Sequence, residues 1–262
     1  SCNLASLNIV SVMERKKLRE SVHEGMIALT AVSDMTHITN APGVAKANAE
    51  LHAVGLGAMN LHGYLAKNKI AYESDEAREF ARTFFMMMNY YSLEQSMLIA
   101  RERGITFEGF ALSDYADGSY FDRYIETDYR PVSDQVKSLF AGMHVPSPHD
   151  WRKLKEEVQR HGLYHAYRLA IAPTQSISYI QNATSSVMPV VEPIETRTYA
   201  NSTTYYPMPY LNKDNFFYYK SAYRMDQFKV LDLIAEIQEH VDQGISTVLH
   251  VNSDVTTRQL AR

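Results

Sequence analysis

The longest helical stretch, residues 74–103, constrains this chain more than any other feature. It opens at Ser74, Asp75 and Glu76, a cap followed by an acidic first turn. It closes at Arg101, Arg103 and Gly104, the matching C-terminal signals. Tyr90 and Tyr91 fall inside it and read as core and rim. Whatever else forms must pack around this helix. Residues 2–10 suit a strand. Residues 14–38 repeat apolar side chains at Leu18, Val22, Met26 and Leu29, a helical spacing. Residues 46–67 read as one helix or two, with Gly55 and Gly57 allowing a bend or close helix packing. Residues 105–132 read as a long surface loop with short pieces of structure.

Further along, helices are expected near 133–142 and 148–161, the second capped by Ser147 and Pro148. From Leu169, an apolar strand delivers a hydroxyl-rich loop. Pro189, Pro193, Pro207 and Pro209 preclude a long helix over 185–212. Residues 225–243 form an amphipathic helix presenting Phe228, Leu231, Ile234, Ile237 and Val241. The β-branched run ISTVLHV at 245–251 reads as a strand, and Thr256 or Thr257 caps a last helix. This alternation predicts an α/β architecture with largely parallel strands. The chain reads as one domain over 1–262, an incomplete one, because it opens at Ser1 without Met.

Several function classes are excluded early. Twenty-six Lys and Arg against 30 Asp and Glu give a net charge of -4, so no basic surplus points to nucleic acid. No apolar run approaches a membrane span, and no signal peptide is visible. Cys2 is the only cysteine, which prevents an intrachain disulfide and predicts a reducing, cytoplasmic setting. The histidines carry no metal signature; Gly162 separates His161 from His165.

Two candidate sites remain on residue chemistry. Pro173, Thr174, Gln175, Ser176 and Ile177 follow an apolar strand, with NATSS at 182–186 nearby. Backbone N–H groups and hydroxyls at a strand end suit phosphate oxygens; a polar turn capped by its own hydroxyls is the competing reading. The GLG at 55–57 lacks the third glycine and preceding strand of a dinucleotide loop. Cys2 reads as a nucleophile, a redox thiol or a buried filler.

Five segments then occur in one order: SCNLASLNI (1–9), HAVGLGAMNLHGYLA (52–66), IAPTQSISYIQNATSSVMP (171–189), YYPMPYL (205–211) and HVDQGIS (240–246). Together they resemble the large, catalytic subunit of class I ribonucleotide reductase, most of all class Ib. The resemblance implies the second half of a ten-stranded α/β barrel, and reduction of ribonucleoside diphosphates to deoxyribonucleotides by radical chemistry. By position, Cys2 matches one member of the redox cysteine pair, its partner lying outside this chain. Pro173, Thr174, Gln175, Ser176 and Ile177 match the loop that holds the substrate phosphates. The resemblance also implies partners: the missing N-terminal half of the large subunit, and a separate metal-containing small subunit that supplies the radical. A thioredoxin- or glutaredoxin-like reductant completes the set, with nucleotide effectors bound elsewhere in the full subunit. No metal or cofactor is expected in this chain itself.

The finger-loop Asn-x-Cys-x-Glu motif, the second redox cysteine and the radical-relay tyrosine pair are not in this sequence. The chain alone is therefore expected to be inactive. The alternative is a non-catalytic piece that binds nucleotide or a partner; a phosphate-ligand enzyme outside this family is the third reading.

Overall fold

The computed structural model describes residues 3–261. In chain order the elements are β1 (Leu4–Asn8), α1 (Ile9–Glu14), α2 (Leu18–Met35), α3 (Pro42–Leu51), β2 (Gly55–Met59), α4 (Leu61–Lys67) and α5 (Asp75–Arg103). There follow α6 (Asp114–Asp117), α7 (Asp122–Glu126), α8 (Asp134–Leu139), α9 (Pro148–His161) and α10 (Gln175–Ile180). The chain then forms β3 (Ile194–Tyr199), β4 (Ser202–Pro207), α11 (Gln227–Gln238) and α12 (Thr257–Leu260).

Helix α5 organises the core. Ser74 caps it by accepting the Ala77 N–H, and Gly104 ends it in the left-handed region at φ 66°. At 29 residues it is about 43 Å long. Met86, Met87 and Met88 are consecutive and all buried, so protein covers this helix on every side. Helices α2, α9 and α11 pack along it. The α9 start is fixed by a capping box, in which Ser147 and Asp150 satisfy each other's backbone N–H.

Strand β2 lies at the centre of a small parallel sheet. Strand β1 pairs with it from Leu4 opposite Gly55 to Asn8 opposite Met59. On its other side runs an extended segment, 167–170. Val54 N–H donates to Tyr167 O, Leu56 N–H to Arg168 O, and Ala170 N–H to Leu56 O. All five β2 residues are buried. Gly57 permits this arrangement, since a Cβ there would stand 2.3 Å from Ala170 O. The expectation of one helix or two over 46–67, with the glycines serving a bend or helix packing, is thus corrected at residues 55–59: these glycines admit neighbouring strands.

Strands β3 and β4 form a separate antiparallel hairpin. The architecture is mixed α/β, with one parallel and one antiparallel pair. The described residues close no sheet into a barrel.

Two other expectations change. Residues 245–251 form no strand; Ile245 and His250 instead donate their N–H groups to the side-chain oxygens of Gln238 and Gln227. A β-branched run becomes a strand only where another strand lies beside it, and none does among the described residues. Helix α11 is present but turned from the predicted face. Val230, Leu233, Ile234 and Ile237 are buried, while Phe228 and Leu231 are exposed.

Candidate functional site

The extended segment 167–170 is held on both edges. Strand β2 binds one side. On the other, Asp242 Oδ2 accepts the N–H of Arg168 at 2.6 Å and of Leu169 at 2.9 Å. Gln243 N–H adds a bond to Leu169 O. The Arg168 guanidinium is fully buried and pairs with Asp242 Oδ1 at 2.7 Å. It also donates to Asn89, Ser92 and Tyr115. Burial opposes its charge, yet Asp242 and the tyrosine hydroxyls outweigh that and raise its pKa.

From this fixed strand the chain passes through Ile171 and Pro173 to Thr174, which adopts the left-handed region at φ 54° and ψ 24°. The chain then turns directly into α10. The predicted hydroxyl-rich loop is therefore a tight turn followed by helix. Gln175, Ser176 and Ile177 are exposed, as is Pro173. The first N–H groups of a helix have no carbonyl one turn back to bond. These three amides thus belong to exposed residues and lack an intrahelical partner.

Thr174 behaves differently from the expectation that its hydroxyl faces a ligand. Its side chain is turned inward and is only 6% exposed. Its Oγ1 accepts the Ser186 N–H at 2.6 Å. Ser178 is also buried, its hydroxyl donating to Gln175 O and lying 3.1 Å from Ser185 Oγ.

The NATSS segment is fastened to the sheet by Asn60. Asn60 sits at the end of β2, fully buried, with φ 72°. Its Oδ1 accepts the Thr184 N–H at 3.0 Å, and its own N–H donates to Thr184 O at 2.9 Å. Its Nδ2 donates to Asn8 Oδ1 at 3.0 Å, at the end of β1. Gly63 leaves room for this, since a Cβ there would lie 2.0 Å from Asn60 Oδ1. Asn8 and Asn60 escaped the sequence reading as anchors, while Ser186 was within the NATSS segment named beside the loop. The available signal was the pair of asparagines closing two apolar segments, because asparagine tolerates left-handed backbone and bonds locally.

Beside α10 lies a cavity of about 220 Å³, lined by Tyr179, Ser185, Glu195, Arg197 and Tyr206 among others. Arg197 stacks on Tyr179 at 3.5 Å and lies over Tyr206 at 4.7 Å, joining α10 to the β3–β4 hairpin. Deeper in, His62 accepts the Val190 N–H on Nδ1 and meets Tyr218 O through Nε2. Burial pushes its pKa down to about 4, so it stays neutral.

The structure therefore gathers Pro173, Thr174, Gln175, Ser176 and Ile177 at the C-terminal end of the sheet. Cys2 lies outside the described residues. Its neighbour Asn3 accepts the Gly55 N–H at the opposite end of β1. The described residues hold no cluster of three or more His, Cys, Asp or Glu able to bind a metal. None of their helices is long and apolar enough to cross a membrane.

Comparison with known proteins places these features in context. The family described as "Ribonucleotide reductase, barrel domain" matches residues 1–262. The ribonucleoside-diphosphate reductase subunit alpha of Bacillus subtilis (strain 168) is 57% identical over 262 residues, covering all of this chain and 37% of the relative. The subunit alpha of Mycoplasma pneumoniae is 41% identical over 99% of this chain and 37% of its own length. That of Treponema pallidum is 32% identical, covering 99% of this chain and 28% of the relative. The chain thus spans about a third of the length of these relatives. It belongs to the ribonucleotide reductase barrel-domain family.

Proposed function

We propose that this chain is the segment of a ribonucleoside-diphosphate reductase alpha subunit that seats the substrate phosphates and contributes one redox thiol. The carrying observation is the 173–177 turn, where the exposed residues Gln175, Ser176 and Ile177 form the first turn of α10, whose N–H groups have no carbonyl one turn back, beside an anchored strand. Neutral donors of this kind suit a doubly charged terminal phosphate. Residues 1–262 form a single, incomplete domain in this reading, the second half of a ten-stranded barrel completed by the preceding part of the subunit.

The reaction replaces the ribose 2′ hydroxyl by hydrogen. A thiyl radical from the missing half takes the 3′ hydrogen and later returns it. The 2′ hydroxyl leaves as water. Two thiols supply two electrons and two hydrogens and become a disulfide, of which Cys2 is one half. A thioredoxin- or glutaredoxin-like protein reduces that disulfide. A separate metal-bearing small subunit generates the radical, and nucleotide effectors bind elsewhere in the subunit. The setting is the cytoplasm, where thiols are kept reduced.

The test is a complete alpha subunit carrying this chain as its barrel segment, assayed for diphosphate reduction with its small subunit. Ser176→Ala should weaken diphosphate binding about tenfold, the loss expected for a hydrogen bond to a charged group. Cys2→Ser should bind substrate but fail to turn over repeatedly. Normal multiple turnover by Cys2→Ser would overturn the redox assignment and return Cys2 to a buried filler, and unchanged affinity in Ser176→Ala would overturn the role of its hydroxyl.

A further inference from the structure

We propose that Thr174 is a positioning residue: its hydroxyl locks the turn that aims the 175–177 amides, and does so by binding protein and not substrate. This rests on the phosphate-seating reading above and adds the part that sets its geometry.

The first support is conformational. Thr174 is β-branched and lies at φ 54°, where such residues are rare and strained. Asn182 and Ser186 share that region at φ 48° and 55°. Thr174 and Ser186 lack asparagine's tolerance of this region and persist there only where surrounding bonds over-determine them. For Thr174 two such bonds are present. Its Oγ1 accepts the Ser186 N–H at 2.6 Å, and its carbonyl accepts the Ser178 N–H at 2.9 Å.

The second support is the path from that hydroxyl to the rigid sheet. Ser186 lies two residues beyond Thr184, which is bonded to Asn60 through both its N–H and its carbonyl. The Thr184 hydroxyl also accepts the Gly63 N–H. Asn60 in turn grips Asn8. A continuous series of buried hydrogen bonds therefore runs from the ends of β1 and β2 to the Thr174 side chain. Removing the hydroxyl frees the turn at its tie to Ser186, while leaving β2, α4, the Ser178–Gln175 bond and the Arg168–Asp242 anchor in place.

The third support is exposure. Gln175, Ser176 and Ile177 face outward while Thr174 is buried between them and the 184–186 segment. One side chain thus faces the frame while the following amides face the solvent.

The experiment uses the complete alpha subunit carrying this chain. Dissociation constants of a ribonucleoside diphosphate and of the same nucleoside without phosphates are measured for the unsubstituted protein, Thr174→Val, Thr174→Ser and Thr174→Gly. Thr174→Val keeps the shape but removes the acceptor. It should raise the diphosphate dissociation constant about tenfold, the equivalent of one buried hydrogen bond, and leave the nucleoside's unchanged. Thr174→Ser restores the hydroxyl and should restore diphosphate affinity. Thr174→Gly suits the left-handed backbone but lacks the hydroxyl, so it should fold and still show the loss. Should Thr174→Val not fold, Thr174→Gly and Thr174→Ser decide the matter. If the unsubstituted protein prefers the diphosphate and the Val and Gly variants prefer it equally, the positioning role is overturned while phosphate seating stands. If the unsubstituted protein binds diphosphate and nucleoside alike, phosphate seating itself is overturned, and the positioning role with it.

Discussion

Neutralising both halves of the Arg168–Asp242 pair should destabilise the fold by much less than the sum of neutralising each alone. Arg168 is fully buried and the Asp242 side chain is 8% exposed, so neither charge is rescued by solvent. Arg168→Met leaves a buried carboxylate without its counter-charge. Asp242→Asn leaves the guanidinium facing an amide. Breaking a buried pair from one side costs about 3–5 kcal/mol. In the double variant no charge is buried. The side-chain amide oxygen introduced by Asp242→Asn still accepts the backbone N–H groups of residues 168 and 169, bonded at 2.6 and 2.9 Å in the native protein. The double variant should therefore cost about 3–7 kcal/mol, not the sum of roughly 6–10, a coupling of about 3 kcal/mol at the upper end for contacting residues. Urea unfolding of all four proteins, followed through midpoint and slope, measures this directly. Additivity within about 0.5 kcal/mol would refute the claim that the two side chains act as one buried unit.

Acid should weaken the fold through its buried imidazoles. Burial lowers the pKa of His62 to about 4 and of His165 and His240 to about 3, from an ordinary 6.5. The unfolded chain takes up these protons first, so the stability is complete above about pH 6.5 and is lost as pH falls toward 4. Each group contributes a slope of up to about 1.4 kcal/mol per pH unit; a urea midpoint unchanged between pH 7 and 5 would contradict this. Gly57→Ala should cost about 1–3 kcal/mol, because the new Cβ would meet backbone 2.3 Å away at Ala170 O. Thermal unfolding reads that loss, and an unshifted transition would mean that the strands separate freely. Asn60→Ala removes the side-chain acceptor for the Thr184 N–H and the donor to Asn8 Oδ1. Amide exchange at Thr184 should then accelerate markedly while exchange within α5 stays slow.

Where local chemistry decides structure, the sequence was legible. Ser74 and Gly104 bracket α5, and Ser147 with Pro148 opens α9, because caps act within one turn. Where a distant partner decides, it was not. Residues 55–59 carry two glycines and no alternation, and only the pairing with Leu169 and with β1 makes them a strand. Residues 245–251 carry the right residues for a strand but have no neighbouring strand among the described residues. Helix α11 was visible, yet it carries two apolar faces at helical spacing, and docking on α5 chose the one with Val230, Leu233, Ile234 and Ile237. At the candidate site, the exposure of Ser176 matched its place after an apolar strand. The inward turn of Thr174 had no signature, since nothing in a threonine announces positive φ.

The stretch 245–251 has a practical consequence for handling this chain. Val248, Leu249 and Val251 are 60%, 50% and 41% exposed on a β-branched segment without a described strand beside it. Exposed backbone of this composition outside a sheet is a template for strand addition by another molecule. Produced by itself, the chain should self-associate through this segment as its concentration rises, and lysine in place of Val248 and Leu249 should suppress the association by placing like charges across the nascent ladder.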